Sequence, residues 1–232
     1  MQVPLKVLAP QIEKAKLVLI TGHYGSGKTE FSVNLALQAA ECPQKLALAD
    51  LDIVNPYFRS RERKEQLDAR GIRLIASSQA CTDADVPSLP ADVFALFQDP
   101  DLYGIVDVGG DPDGARVLAR FRPKIMATPH EMLCVVNANR PETRDADRAV
   151  SYLRAIEATC GVPMTGLVNN THLCGETTVE EILKGARLVR EVSERTGLPV
   201  VCHVVVKALC GEKMLAGLPL FPIDIYMKKP WE

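Results

Sequence analysis

The chain has 232 residues, with 27 Lys and Arg against 29 Asp and Glu, a formal net charge of −2, 47% hydrophobic residues and 5% aromatic residues. This composition is globular, long enough for one domain and short for two, so we expect residues 1–232 to form a single domain. A net charge near zero supplies no overall field for a nucleic acid or an anionic membrane, and we expect neither as a partner.

The seven cysteines form no C-x-x-C pair, and the first 20 residues lack the pattern of a signal peptide. We therefore expect a cytoplasmic protein.

Short runs rich in Val, Ile and Leu alternate with segments of helical period, which predicts a three-layer α/β sandwich with a mostly parallel sheet. Strands are predicted at Lys16–Thr21, Lys45–Ala49, Ile72–Ala76, Tyr103–Val108, Met132–Asn137, Pro163–Asn169 and Val200–Val205. The clearest predicted helices are Gly27–Glu41, Tyr57–Arg70, Asp113–Phe121, Thr143–Cys160 and Thr177–Thr196.

A glycine-rich loop follows the first predicted strand. It reads Gly22-His23-Tyr24-Gly25-Ser26-Gly27-Lys28-Thr29 and satisfies the pattern G-x-x-x-x-G-K-[ST]. Such a loop turns successive backbone N–H groups toward a phosphate, and the following helix adds its positive amino terminus. We predict that all eight residues bind nucleotide phosphates, with Lys28 at the β- and γ-phosphates and the Thr29 hydroxyl on Mg²⁺.

Two further strands end in carboxylates that suit such a site. The second strand runs into Asp50-Leu51-Asp52, and the fourth ends in Asp107 before Gly109 and Gly110. Because Mg²⁺ prefers oxygen ligands, we predict that Asp107 holds a magnesium-bound water. Asp52 is predicted to act on the metal or to orient the attacking water, as a catalytic residue beside Lys28. Either carboxylate could instead only cap the helix that follows it.

Three segments between these motifs are candidates for contact with a partner. An exposed Tyr-Phe pair in Asn55-Pro56-Tyr57-Phe58 would suit a protein client. The charged run Arg59–Glu65 forms either a solvated helix face or a polyanion contact. Residues 77–92, rich in Asp and Pro, form either a lid or an ordinary surface crossover.

The order of these motifs resembles the MinD, ParA and CooC group of P-loop ATPases, which carry the CobQ/CobB/MinD/ParA nucleotide-binding domain of the SIMIBI class. Asp50-Leu51-Asp52-Ile53 is similar to that group's D-x-D motif, and NRPETRDADR at residues 139–148 is similar to its N-P-E segment. The resemblance extends from Leu17 to about Val206. It implies a SIMIBI-type P-loop NTPase fold with roughly seven strands, ATP and Mg²⁺ as cofactors, and a nucleotide-dependent homodimer.

The chain also departs from that group. His23 stands where MinD and ParA proteins carry a lysine that reaches the partner's phosphates, and the loop is closer to that of the metallochaperone GTPases UreG and HypB. Guanine-binding members use N-K-x-D after the sixth strand, whereas this chain has Asn169-Asn170-Thr171-His172. Since a carboxylate is missing and an Asn amide can pair with the adenine edge, we expect ATP over GTP, with Asn169 and Asn170 at the base. The alternative is that the two Asn residues only form a turn.

Three further segments carry residues typical of metal sites or membrane anchors. His172 and Cys174 could serve a metal or redox function. Cys202 and His203 are adjacent on a predicted strand and point to opposite faces, so we expect them to be buried and not to share a metal ion. Residues 223–232 make a poor membrane-targeting helix, because Pro230 would end it.

The sequence therefore predicts a Mg²⁺-dependent ATP nucleotidase that acts as a slow switch for an unidentified protein client, with maturation of a metallocofactor or corrinoid enzyme as one setting. Two alternatives stay open. One is an ATP-dependent kinase or ligase for a small molecule, of the dethiobiotin-synthetase or cobyrinate-amidase type. The other is a nucleotide-binding adaptor that does not hydrolyse its ligand.

Overall fold

The structure, a computed structural model, describes residues 15–41, 45–52, 63–76 and 91–227. Their core is an eight-stranded sheet in which all recorded neighbours run parallel, in the order β3-β2-β4-β1-β5-β6-β7-β8. The strands are β1 Leu17–Thr21, β2 Lys45–Leu51, β3 Ile72–Ala76, β4 Leu102–Val108, β5 His130–Val136, β6 Gly166–Asn169, β7 Val200–Val206 and β8 Leu220–Ile223.

Six α-helices connect the strands. They are α1 Lys28–Ala39, α2 Lys64–Asp68, α3 Ala95–Gln98, α4 Pro112–Met126, α5 Ala146–Cys160 and α6 Val179–Thr196. The three long helices after β4 begin with side-chain caps, since Asp111, Asp145 and Thr178 each accept a backbone N–H three residues ahead. A left-handed glycine ends α5 at Gly161 and α6 at Gly197, as is common for helix termini.

Two apolar layers sandwich the sheet, which explains why its strands are apolar throughout. One layer joins α4, α5 and α6 to residues such as Leu17, Val106 and Met132, and the other joins α1 to Val18, Ile105 and Leu133. Alternate residues of each strand thus serve opposite faces, as parallel sheets covered on both sides require. The predicted class, an α/β fold with three layers and a mostly parallel sheet, is confirmed.

The sequence predicted roughly seven strands, and the structure adds an eighth, β8, at the edge beside β7. Its sequence, LFPI, contains Pro222, a residue that strands tolerate mainly at an edge. Helix α4 continues to Met126 through Pro123, five residues past its predicted end. Residues 53–62 lie outside the described ranges, and with them Asn55-Pro56-Tyr57-Phe58 and the start of the predicted helix Tyr57–Arg70. Residues 77–90 and 228–232 also lie outside.

The segment after β8 is fastened to the helix that follows the glycine-rich loop. The Glu30 carboxylate accepts the backbone N–H groups of Tyr226 and Met227 at 2.8 and 2.9 Å. One turn further along α1, the Asn34 amide both donates to and accepts from the backbone of Asp224, at 2.9 Å each. Residues 224–227 therefore run against the first two turns of α1. No helix within the described ranges is long and apolar enough to cross a membrane.

Candidate functional site

The glycine-rich loop lies at the carboxyl end of β1, the strand between β4 and β5. In an open parallel sheet, a crevice outside the carboxyl ends of the strands is the usual ligand site. The ends of β2 and β4 lie to one side of the loop, and the ends of β5 and β6 lie to the other. We call the first the carboxylate side, formed by Asp50, Asp52 and Asp107. We call the second the amide side, formed by Asn137, Arg140, Asn170 and His172.

On the carboxylate side, two direct contacts join the loop to the neighbouring strands. Lys28 Nζ lies 2.7 Å from Asp52 Oδ2, with both side chains about 95% buried. The Thr29 hydroxyl donates to Asp107 Oδ2 at 2.6 Å. Asp50 is the register partner of Asp107 on the adjacent strand, and its Oδ1 accepts the Asp52 backbone N–H at 3.2 Å. The structure thus brings the predicted lysine, threonine and carboxylates together.

This clustering shifts the pKa values of the buried groups. Burial alone would lower the pKa of Lys28, but the carboxylates of Asp107, Asp52 and Asp50 outweigh it and the net pKa is raised. Lys28 is therefore charged at neutral pH. Burial, reinforced by the charge of Asp50, raises the pKa of Asp107 to about 7, even though Lys28 and the Thr29 hydroxyl act in the opposite direction.

The carboxylate side fits Mg²⁺ in the manner of a nucleotide site. No group of three or more His, Cys, Asp or Glu residues suited to a metal occurs in the described part of the chain. Mg²⁺ commonly binds through one or two carboxylates together with substrate phosphates and water, so such a group is not required. Asp107 Oδ1 is buried and has no hydrogen-bond partner among the described residues, which leaves one carboxylate oxygen for a metal or its water.

On the amide side, uncharged and guanidinium donors hold the carbonyl groups of the glycine-rich loop. Asn170 Nδ2 donates to the Ser26 carbonyl at 2.8 Å. Arg140 Nε donates to the Gly25 carbonyl at 2.9 Å, and Asn137 Nδ2 lies 3.4 Å from the same oxygen. These hydrogen bonds to the carbonyls from outside the loop favour one conformation of the loop.

The structure places Asn169 away from the loop, in contrast to the expectation that it contacts the base. Asn169 Nδ2 donates to the Ile182 carbonyl of α6 and lies 3.0 Å from His203 Nδ1 on β7. Its Oδ1 accepts the Thr171 backbone N–H at 3.1 Å. Because successive strand residues face opposite ways, Asn169 and Asn170 serve different neighbours. His203 is buried, as expected from its position, and burial lowers its pKa to about 4.

His172 lies beside the loop, close to Gly27. Burial and the neighbouring Arg140 charge lower the pKa of His172 to about 4, so its ring is neutral at pH 7. Cys174 Sγ lies 3.8 Å from His172 Nδ1. Two such groups alone do not form a metal site, and the metal alternative for this pair gains no third ligand from the described residues.

His23 turns toward α5 and the turn before it. Its Nδ1 lies 3.5 Å from Glu142 Oε2 and 3.1 Å from the Tyr24 carbonyl, while its ring meets the Tyr152 ring edge to face at 5.7 Å. Tyr24, the next loop residue, is half exposed. Tyr152 was not among the predicted site residues, because its position inside an amphipathic helix gives no signal of a site.

Tyr152 also contacts the segment after β4. Its hydroxyl donates to the Gly110 carbonyl at 2.7 Å. Gly110 packs so closely on the glycine-rich loop that a Cβ atom there would lie 2.2 Å from the Gly22 carbonyl oxygen, so only glycine fits. The segment at Gly109 and Gly110 is therefore held between the loop and α5.

No family model matches the sequence, and no curated protein matches it. Solved structures do match. The cell division protein FtsY of Thermotoga maritima has 22% identity and a TM-score of 0.55 over 85% of this chain and 66% of its own length. The signal recognition particle receptor FtsY of Elizabethkingia anophelis has 20% identity and a TM-score of 0.53, over 94% of this chain and 66% of its own length. The 54 kDa signal recognition particle protein of Aeropyrum pernix K1, in complex with GDP, has 19% identity and a TM-score of 0.51. The match covers 86% of this chain and 42% of the other.

At these identities the likeness shows the fold, which is that of a P-loop NTPase. The chain spans no more than two thirds of the length of each of these three structures. The finer resemblance to MinD, ParA and CooC, or to UreG and HypB, is not confirmed by these structures.

Proposed function

We propose that this protein is a Mg²⁺-dependent P-loop nucleotidase that acts as a nucleotide-driven switch for a protein client. One observation carries the proposal: the loop delivers Lys28 and Thr29 to within 2.7 and 2.6 Å of Asp52 and Asp107. A glycine-rich turn without a ligand gains nothing from burying a lysine among three carboxylates, because burying charges costs several kcal/mol per ion before pairing. A phosphate site gains a cation and metal ligands in one place.

In this proposal each residue has a separate task. The loop N–H groups hold the β-phosphate, and Lys28 exchanges Asp52 for the oxygens of the transferring phosphoryl group. That exchange releases the Asp52 carboxylate to orient the attacking water. Thr29 and Asp107 would hold Mg²⁺, which supplies neutralisation of the charge that develops on the phosphates. The rate enhancement then comes from positioning and electrostatics.

We propose ATP as the nucleotide. Guanine recognition needs an acceptor for two N–H groups, and residues 169–174, NNTHLC, contain no carboxylate. Asn170 and His172, which lie against Gly27 of the loop, are the proposed base-side groups, and Asn169 has no such role in this proposal. GDP in the Aeropyrum structure supports the alternative, a guanine nucleotide. Competition of ATP and GTP for the same site distinguishes the two.

The switch and its client rest on the segment after β4. Gly110 is in contact with the loop and bonded to Tyr152, so a bound γ-phosphate would act on a segment that is already linked to α5. FtsY from Elizabethkingia is a signal recognition particle receptor by name, and this supports a role through a protein partner. A nucleotide-dependent homodimer is the second expected partner.

Calorimetry with Lys28→Ala tests the site. We expect wild type to bind Mg-ATP and Lys28→Ala to lose at least tenfold in affinity, because a buried charge-assisted contact is removed. The matched control is Lys45→Ala, an exposed lysine paired with Asp99 at the amino end of β2, which should bind like wild type. Equal affinity of Lys28→Ala and wild type would contradict the nucleotide site.

Phosphate release and sedimentation velocity test the reaction class. Slow release with ATP alone supports the nucleotidase, and release only after candidate metabolites are added supports the small-molecule kinase or ligase. Binding with no release under either condition supports the adaptor. A dimer that forms with a non-hydrolysable ATP analogue and not with ADP supports the switch.

A further inference from the structure

Arg140 extends from a rigid turn onto the glycine-rich loop. Its backbone N–H donates to the Asn137 carbonyl at 3.1 Å, and its own carbonyl accepts the Thr143 N–H at 3.0 Å. Pro141 follows and begins a short 3₁₀ helix. The side chain therefore leaves a fixed backbone, and its Nε donates to the Gly25 carbonyl at 2.9 Å.

The guanidinium plane lies directly against Gly25. This glycine has a φ of +72°, and a Cβ atom there would lie 2.6 to 2.7 Å from Arg140 Cζ, Nε and Nη2. Only glycine at this loop position lets the guanidinium approach so closely. The charge is thus held at van der Waals distance from a backbone that is predicted to surround phosphates.

The Nε atom of Arg140 is bonded to the Gly25 carbonyl, so its two Nη atoms remain to bind a ligand. Arg140 is part-buried, and within the described ranges no carboxylate lies within ion-pair distance of it. The acids nearest in sequence are engaged elsewhere: Glu142 faces His23, and Asp145 pairs with Arg144 and Arg148. A guanidinium keeps its charge at every physiological pH.

The charge balance of the site calls for such a group. On the carboxylate side, the charge of Lys28 is already paired with Asp52. A magnesium nucleotide brings further negative charge to a crevice that holds three carboxylates. His23, which occupies the position of a lysine in the resembled group, faces Glu142 and Tyr152.

We propose that Arg140 is a second cationic ligand of the nucleotide phosphates, supplied by the same chain. Its Nε braces the Gly25 carbonyl, and its Nη groups donate to phosphate oxygens from the amide side, opposite Lys28. This inference rests on the proposed function and deepens it, because the phosphates are then held by charges from both sides of the loop.

Binding of Mg-ADP and Mg-ATP to Arg140→Gln, Arg140→Lys and Arg144→Gln tests the inference. Arg144 is the matched control, since it lies in the same segment with an exposed side chain. We expect Arg140→Gln to weaken Mg-ATP binding on the order of tenfold, Arg140→Lys to recover part of the loss, and Arg144→Gln to bind like wild type. Urea denaturation of each variant verifies that it is folded.

The dependence of affinity on salt separates a phosphate ligand from a loop brace. If Arg140 touches the phosphates, log Kd depends less steeply on log salt in Arg140→Gln than in wild type. Weaker binding with an unchanged dependence of log Kd on log salt would overturn the role as a phosphate ligand. Arg140 would then only hold the Gly25 carbonyl of the loop. Equal affinities of Arg140→Gln and Arg144→Gln would overturn the inference while the nucleotide site stands. Failure of wild type to bind any nucleotide would overturn both proposals.

Discussion

The two sides of the glycine-rich loop are built from different chemistry. On the carboxylate side, a buried lysine and three buried carboxylates meet across strands β1, β2 and β4. On the amide side, Asn137, Arg140 and Asn170 hold loop carbonyls by hydrogen bonds. The first side concentrates the carboxylates and the lysine that a metal and a phosphate can use. The second side holds the shape of the loop and, in our proposal, adds the charge of Arg140. Substitutions of the carboxylates and of the two amides should therefore separate catalysis from loop geometry.

The largest effect is expected for Asp107→Asn. The substitution removes the charged oxygen that would hold Mg²⁺, so phosphate release should fall on the order of 100-fold. Stability should not fall with it, because a neutral amide fits a site where burial already disfavours the charged carboxylate. Phosphate release at pH 8 measures the catalytic effect, and urea denaturation at pH 8 measures the stability. Loss of stability equal to that of a core truncation would show that Asp107 is structural.

The same variant makes a prediction about pH. The pKa of Asp107 is about 7 in the folded chain, above the ordinary value of 3.8, so the folded state holds this proton more tightly than the unfolded state. The stabilisation that this proton gives the folded chain is complete below about pH 4 and is lost as the pH rises to 7. The stability of Asp107→Asn relative to wild type should therefore increase over this range, on the order of 4 kcal/mol. A difference that is flat with pH would contradict the shift.

Asn170→Ala tests the amide side. Its loss leaves the Ser26 carbonyl without this donor, so we expect about 1 to 2 kcal/mol of destabilisation. Affinity for both nucleotides should fall because the loop changes shape, and affinity for ATP should fall further than affinity for GTP, because Asn170 is also the proposed contact to adenine. Asn169→Ala is the control, since its bonds go to Ile182 and His203; it should lose stability and keep nucleotide affinity. A selective loss of ATP binding in Asn169→Ala would restore its role at the base.

Tyr152→Phe should have the smallest effect. It removes one hydrogen bond to the Gly110 carbonyl, which contributes about 1 kcal/mol. Because Gly110 lies near the expected γ-phosphate, hydrolysis should change a few-fold while ADP affinity stays constant. Tyr103→Phe, on the amino-terminal half of β4, is the control and should leave both unchanged. A weaker affinity for ADP in Tyr152→Phe would place the effect on the loop itself.

The same contrast explains how far the sequence could predict this molecule. The carboxylate side depends on an eight-residue motif and on the last residues of two apolar strands, and the sequence displays these directly. The amide side depends on contacts between residues more than 100 positions apart, such as Asn170 with Ser26 and Arg140 with Gly25. Whether Asn169 or Asn170 faces the loop is a matter of one residue in strand register, which composition does not specify. Pro222 concealed β8 for a similar reason, since only its edge position permits a proline there.

The contact between Glu30 and residues 226 and 227 makes the end of the described chain a neighbour of the proposed nucleotide site. Glu30 follows Thr29 directly, and burial raises the pKa of its carboxyl group against the lowering effect of the two backbone N–H donors. A chain shortened after Ile223 would lose both donors to this carboxylate, one residue from Thr29. A shortened chain made for easier crystallisation would therefore differ from the 232-residue chain in the charge at the start of α1. Its nucleotide affinity would not represent the affinity of the longer chain.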